Sequence, residues 1–207
     1  MTKDFSLDTL PYFTLSQVSL FYNNKKEAST LISNRLRQNK ISKIREWIYT
    51  SNEKIKELTL SWKLNSFLEF ASTNLIYTPS YLSLEYVLFI NNILTENVYN
   101  FTLVTTKKTA IFKNSFWVFS YRSIKEPLFS DYEVHKKDWF SWYQATPEKA
   151  LFDYFYLKRD FIFSIEYLNE LRINWGNVDL KKFEQLVNKY DSKKVKNILQ
   201  LIKKALW

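Results

Sequence analysis

The chain has 207 residues, of which 46% are apolar and 25% charged, enough for one or two domains at ~100–200 residues each. Zero Cys, one His (His135) and one Gly (Gly176) exclude disulfides, Cys-ligated or multi-His metal centres, and the glycine-rich loops of P-loop, Rossmann and kinase folds. An excess of 30 Lys and Arg over 21 Asp and Glu, formally +9, suits a polyanionic partner.

Aromatic residues make up 18% of the chain, so a sizeable core is available and global disorder is ruled out. No apolar run approaches the ~18 residues of a membrane span. The acids in MTKDFSLDTL, with no long apolar stretch, predict no signal peptide, and the chain is read as cytoplasmic. Charge gathers at the two ends: residues 1–50 hold eight bases and four acids, 51–160 thirteen and twelve, and 161–207 nine and five.

Thr14-Leu15-Ser16-Gln17 predicts a capped short helix to about residue 22, with Leu15, Val18 and Phe21 on one face. Asn23-Asn24 marks a turn. A second helix is predicted over 25–39, with Ala28, Leu31, Ile32 and Leu36 inward. At ~100° per residue, Lys26, Thr30, Ser33 and Arg37 share the opposite face within about 60°, flanked by Ser29 and Asn34. Residues 41–49 partly alternate and read as a two-stranded hairpin. Helix, turn, helix and hairpin in that order describe a winged helix-turn-helix DNA-binding domain, expected over 1–57.

Residues 25–45 carry seven bases against Glu27 alone. Lys26, Thr30, Ser33 and Arg37 are therefore the expected base or backbone contacts, with Ser29 and Asn34 at the rim. Lys25, Lys40, Lys43 and Arg45 are expected to neutralise phosphates of double-stranded DNA. A solvated amphipathic helix would show the same face. Arg35 falls on the apolar side, where it is expected to pair with an acid or pack its stem.

Residues 51–57 are polar and read as a linker to a second domain over 58–207. There, 58–75 is expected as one helix with Trp62, Phe67, Phe70 and Ala71 among its apolar positions. Ser83 is expected to cap a helix to about residue 91. Strands are expected at 99–105, 110–113 and 116–122, antiparallel, with turns at Lys107-Lys108 and Asn114-Ser115. Thr146-Pro147-Glu148 is a helix start, and that helix buries Ala150, Leu151, Tyr154 and Phe155. Helices follow at 164–172, 179–190 and 192–206. The last sets Lys193, Lys196, Lys203 and Lys204 opposite an apolar stripe, either as secondary contacts to the DNA backbone or as a solvated face. The fold class is α+β: a winged helix-turn-helix, then helices with a small antiparallel sheet, ending in a helical bundle.

No catalytic constellation emerges. Glu148 and Asp153 lie five apart and point apart on a helix. Asp131, Glu133, His135 and Asp138 are the one cluster mixing carboxylates with imidazole, and read as a surface loop rather than a metal site. Ser80 and Ser83 lack a nearby base and nucleophile-elbow glycines. No catalytic residue, metal or cofactor is expected, and the chain is read as a non-enzyme.

Four strings carry a family resemblance, which runs from about residue 65 onward. They are Ser80-Tyr81-Leu82-Ser83-Leu84-Glu85-Tyr86-Val87-Leu88, the Val98–Lys108 strand segment, Phe119-Ser120-Tyr121-Arg122-Ser123-Ile124 with Leu128-Phe129, and Ala145-Thr146-Pro147-Glu148-Lys149-Ala150-Leu151-Phe152-Asp153. In this order they resemble the AbiEi-like antitoxins of type IV abortive-infection toxin–antitoxin systems. The chain departs from that pattern where Lys40 and Glu46-Trp47 replace wing glycines and Asn91-Asn92 replaces a glycine-type helix end. The resemblance implies a transcriptional autorepressor acting on its own promoter; because one winged helix reads few base pairs, two copies, or two molecules cooperating on DNA repeats, are expected. The resemblance also implies an antitoxin counteracting a nucleotidyltransferase toxin without a stable complex. The alternatives are a direct toxin-binding inhibitor and a stand-alone transcriptional regulator.

Overall fold

Short apolar periods and polar caps set the first elements of an α+β chain. The computed structural model describes residues 7–22, 24–114, 117–158 and 164–206. These sort into two units, Met1–Ala71 with Lys137–Phe140, and Ser72–Lys136 with Ser141–Trp207.

In the first unit, β1 (Phe13–Thr14) runs into α1 (Leu15–Ser19). Thr14 closes a capping box: its Oγ1 accepts from Gln17 N at 3.2 Å, and Gln17 Oε1 accepts from Thr14 N at 2.8 Å. The helix stops short of residue 22, and Phe21, expected inward, is exposed. Asn23, half of the expected turn, lies outside the described residues. Asn24 caps α2 (Lys25–Arg37) by accepting from Glu27 N at 2.9 Å. Ala28 and Ile32 join Leu7, Phe13, Leu15, Val18, Ile41 and Tyr49 in one apolar cluster, with Leu31 and Leu36 at its margin.

Asn39, at φ 53°, closes α2 with a Schellman turn: its N–H donates to Leu36 O at 3.0 Å, and Lys40 N to Arg35 O at 2.9 Å. The antiparallel hairpin β2 (Ile41–Arg45) and β3 (Ile48–Ser51) follows, completing a sheet in the order β1-β3-β2. Its register shifts between Lys43 and Arg45.

The expected linker is helix instead. Ser51 Oγ accepts from Lys54 N at 2.9 Å and starts α3 (Asn52–Leu60), which buries Ile55 and Leu58. The boundary expected at 57/58 thus falls inside α3. The single helix expected over 58–75 is broken: α3 ends, and α4 (Leu64–Ala71) begins after Trp62, which sits at φ 60° and points to solvent rather than inward. Phe67 and Phe70 of α4 each lie 5.6 Å from the ring of Phe140.

In the second unit a π-helical turn, Ser72–Ile76, leads to β4 (Ser80–Leu82), α5 (Leu84–Ile90), β5 (Phe101–Thr105), β6 (Ala110–Lys113) and β7 (Val118–Ser123). The hairpin strands β8 (Tyr132–Lys137) and β9 (Phe140–Ala145) complete a sheet in the order β6-β7-β5-β4-β9-β8. This corrects the small antiparallel sheet: it has six strands and is mixed, because β5 pairs with β7 and β4 with β9 in parallel. After β5 the chain crosses to the edge as β6 and returns as β7, antiparallel to β6 and parallel to β5.

The segment read as a loop around His135 is edge strand β8. Its Glu133, Lys136 and Lys137 are exposed charges of the kind that protects a sheet edge. Ser115 and Phe116, parts of the expected turn and strand, lie outside the described residues. Among the described residues, four α-helices follow: α6 (Pro147–Leu157), α7 (Ile165–Glu170), α8 (Leu180–Tyr190) and α9 (Lys193–Leu206). Thr146 caps α6 with Pro147 in its first turn, and Ala150, Leu151, Phe152 and Phe155 are buried where α6 packs on α5, α8 and α9. Among the described residues, no helix is long and apolar enough to cross a membrane.

Candidate nucleic-acid interface

Helix α2 presents Lys26, Thr30, Ser33 and Arg37 to solvent, with Asn34 exposed and Ser29 half-buried beside them. The inward side is held by Ala28 and Ile32, so the polar face is the one left free by core packing. Arg37 Nη2 donates to Asn34 Oδ1 at 2.6 Å, which orients the guanidinium one turn along the helix. Thr30 Oγ1 donates to Lys26 O at 2.9 Å, so its methyl and a lone pair remain for contact. Arg35 lies apart from this face, with its Nη1 3.8 Å from Asp8 Oδ1, the acid pairing expected for it.

Lys25, Lys40, Lys43 and Arg45 are also exposed. No described carboxylate forms an ion pair with Lys25, Lys26, Lys40 or Lys43. Asn52 braces the α2–β2 corner: its Nδ2 donates to Asn39 O at 2.7 Å, and its Oδ1 accepts from Ser42 Oγ at 2.5 Å. This brace was hidden in the segment read as a linker. Trp47, at the hairpin tip, is 56% exposed and sits at φ 66° where glycine would be least strained.

The C-terminal lysines divide. Lys193 and Lys204 are exposed, whereas Lys196 pairs with Asp191, and Lys203 lies 2.7 Å from Glu184. Asp191 and Glu184 thus offset half of the positive charge expected on that face.

The resemblance strings meet through buried polar groups that sequence reasoning did not group together. Tyr81 Oη and Ser83 Oγ donate to Asp153 Oδ2 at 2.9 and 2.8 Å. Lys149, one turn before Asp153 on α6, donates to the other carboxylate oxygen. Its ammonium also lies 5.1 Å from the Tyr190 ring centre and 5.3 Å from that of Phe152. Tyr81, Ser83, Lys149 and Asp153 are fully buried.

Burial pushes the Asp153 carboxyl up and the Lys149 ammonium down, each opposed by the other's charge and hydrogen bond. Burial and Asp153 together also raise the Tyr81 phenol. Ser83 therefore does not cap α5 with its side chain as expected; its hydroxyl is committed to Asp153, and Leu84 turns the chain at φ 59°. Thr102 Oγ1 donates to Ser83 O at 2.7 Å, and Tyr121 Oη to Ser72 O at 2.6 Å. The network docks α6 onto the β4–α5 corner. The Lys-x-x-x-Asp spacing within 145–153 was its sequence signal.

The remaining polar clusters are engaged structurally. Glu148 Oε1 accepts from Asp179 N at 3.2 Å. Asp131 pairs with Lys189 at 2.7 Å, Asp138 lies 3.7 Å from Lys63, and the His135 ring stacks on Trp142. Among the described residues, no group of three or more His, Cys, Asp or Glu is placed to hold a metal ion. No protein-family model matches the chain, and no curated protein is significantly similar to it in sequence.

Proposed function

We propose that the first unit is a winged helix-turn-helix and that the chain is an AbiEi-like antitoxin, a non-enzymatic cytoplasmic repressor of its own promoter. In this reading α2 enters the major groove. Lys26, Thr30, Ser33 and Arg37 face base edges and adjacent backbone, and Lys25, Lys40, Lys43 and Arg45 neutralise phosphates. The second unit counteracts a nucleotidyltransferase toxin without a stable complex. The observation that carries the DNA reading is that Lys25, Lys26, Lys40 and Lys43, along α2 and its hairpin, are exposed and form no ion pair with any described carboxylate.

Binding of the full chain to its own upstream DNA and to random duplex, across a range of salt, tests the reading. At least a ~10³-fold preference for the upstream DNA is expected. Equal affinity for both duplexes sinks the repressor. Co-expression with the adjacent gene tests the antitoxin half, with Arg37→Ala expected to lose repression while still protecting cells.

A further inference from the structure

Helices α8 and α9 leave a groove of about 600 Å³ between the start of α8 and the end of α9. Its apolar lining comes from Leu180, Leu199, Ile202 and Leu206, with Lys181 and Lys204 beside them. Leu199 and Ile202 are buried together with Phe183, Val187, Val195 and Ile198 and form the groove's floor, while Leu180 is half-buried at its side. Leu206 lies beyond that core and is 41% exposed. The volume falls within the ~300–1,000 Å³ of ligand-binding clefts.

The chemistry of the lining selects the occupant. A DNA backbone matches the lysines but offers no apolar group for the leucines. A second copy packed groove to groove about a two-fold axis would bring an identical lysine-flanked lining and no unpaired carboxylate. The one carboxylate of the lining, Glu184, is already held by Lys203 at 2.7 Å. An occupant must therefore bring apolar side chains and negative charge together.

We propose that this groove docks an acidic amphipathic helix of a partner protein. Apolar anchors spaced i, i+3 or i+4 and i+7 enter among the four aliphatic side chains, and flanking carboxylates meet Lys181 and Lys204. This assigns Lys204 to a protein partner rather than to DNA, and it does not rest on the DNA-binding reading of the first unit.

The test uses the full chain and a fluorescein-labelled synthetic helix of about 18 residues, with leucines at the anchor spacing and glutamates elsewhere. A companion peptide carries lysine in place of glutamate. Fluorescence anisotropy is expected to show the acidic peptide binding at least ~10-fold more tightly than the basic one. Leu206→Asp and the pair Lys181→Glu with Lys204→Glu are each expected to weaken the acidic peptide by ~10-fold or more. Circular dichroism of these surface variants should match the parent, and the charge-reversed pair should prefer the basic peptide. Equal binding of the two peptides, or parent-like binding by both variants, overturns the proposal. Capture by phosphatidylglycerol vesicles that is lost in Leu206→Asp, with no peptide binding, overturns it in favour of a lipid surface.

Discussion

Left-handed turns in a chain with a single glycine fall to residues that carry side chains. Among the described residues, Asn39, Asn92, Asp131, Asp138 and Asp191 take positive φ, joined by Trp47, Trp62, Leu84 and Arg172. Asn and Asp tolerate this region, whereas other residues enter it at about 1–2 kcal/mol. Asn92 was legible as a glycine substitute at the end of α5, and it sits at φ 54° with its N–H on Phe89 O at 2.9 Å. Trp62 was not, because a tryptophan in an apolar period reads as a helix interior. It closes a Schellman turn on α3 through Lys63 N to Leu58 O at 2.8 Å, with its own side chain 89% exposed. Trp62→Gly is therefore expected to stabilise the chain by about 0.5–1 kcal/mol, after the extra unfolded-state freedom of glycine is deducted. A raised urea midpoint at unchanged slope would show it, and a lowered midpoint would show that the indole packs in solution.

Asp131 supports a second expectation at this scale. Desolvation alone would raise its carboxyl, but hydrogen bonds from Lys189 at 2.7 and 2.8 Å, and from Tyr190 and Ser130, hold it below the ordinary range. A carboxyl lowered on folding contributes stability above its unfolded pKa of ~3.9, and that stability is lost as pH falls through the folded value. Asp131→Asn should thus have a lower urea midpoint than the parent at neutral pH. The gap should close as the pH drops below ~4. A gap that stays constant with pH would assign the loss to something other than the carboxylate charge.

Elements were legible where one face is buried and the ends are capped. Helices α2, α6, α8 and α9 begin at Asn24, Thr146, Asp179 and Ser192 or directly after them, and their apolar stripes face inward. The strands β4, β8 and β9 were not legible. All three residues of β4 are buried, so it shows no alternation, and β8 is an exposed edge without an apolar face. The β4 corner is nonetheless where α6 is anchored, through Asp153.

Removing one member of a buried ion pair strands the other charge, at about 3–5 kcal/mol. Asp153→Ala, which strands Lys149 and also leaves Tyr81 and Ser83 without their acceptor, is expected to lose at least that much in urea unfolding. The double variant Lys149→Met with Asp153→Asn keeps an acceptor for both hydroxyls and removes both charges. It should lose no more than about 2 kcal/mol. A double variant as unstable as Asp153→Ala would mean that shape, not charge pairing, holds α6 in place.

Across the whole molecule, the formal +9 divides into charges that are neutralised on folding and charges that are not. Composition locates the two basic ends, but pairing is a tertiary property: Lys203 finds Glu184 on the neighbouring helix, a partner that no local count reveals. Lys40 and Lys43 have no such carboxylate among the described residues. Each phosphate neutralised releases condensed counterions, so in the proposed DNA-binding reading each such lysine is expected to contribute about one unit to the slope of log affinity against log salt. Lys40→Ala and Lys43→Ala should each lower that slope by ~1 on upstream and random DNA alike. Arg37→Ala should instead weaken the upstream DNA more than the random duplex, by ~1–3 kcal/mol for a base contact. Lys203→Ala should leave the slope as it is, because its ammonium already faces Glu184. If Lys203 proves as costly to the slope as Lys43, the C-terminal helix lies on the DNA, and the groove beside it is not free for a protein partner while the chain is bound there.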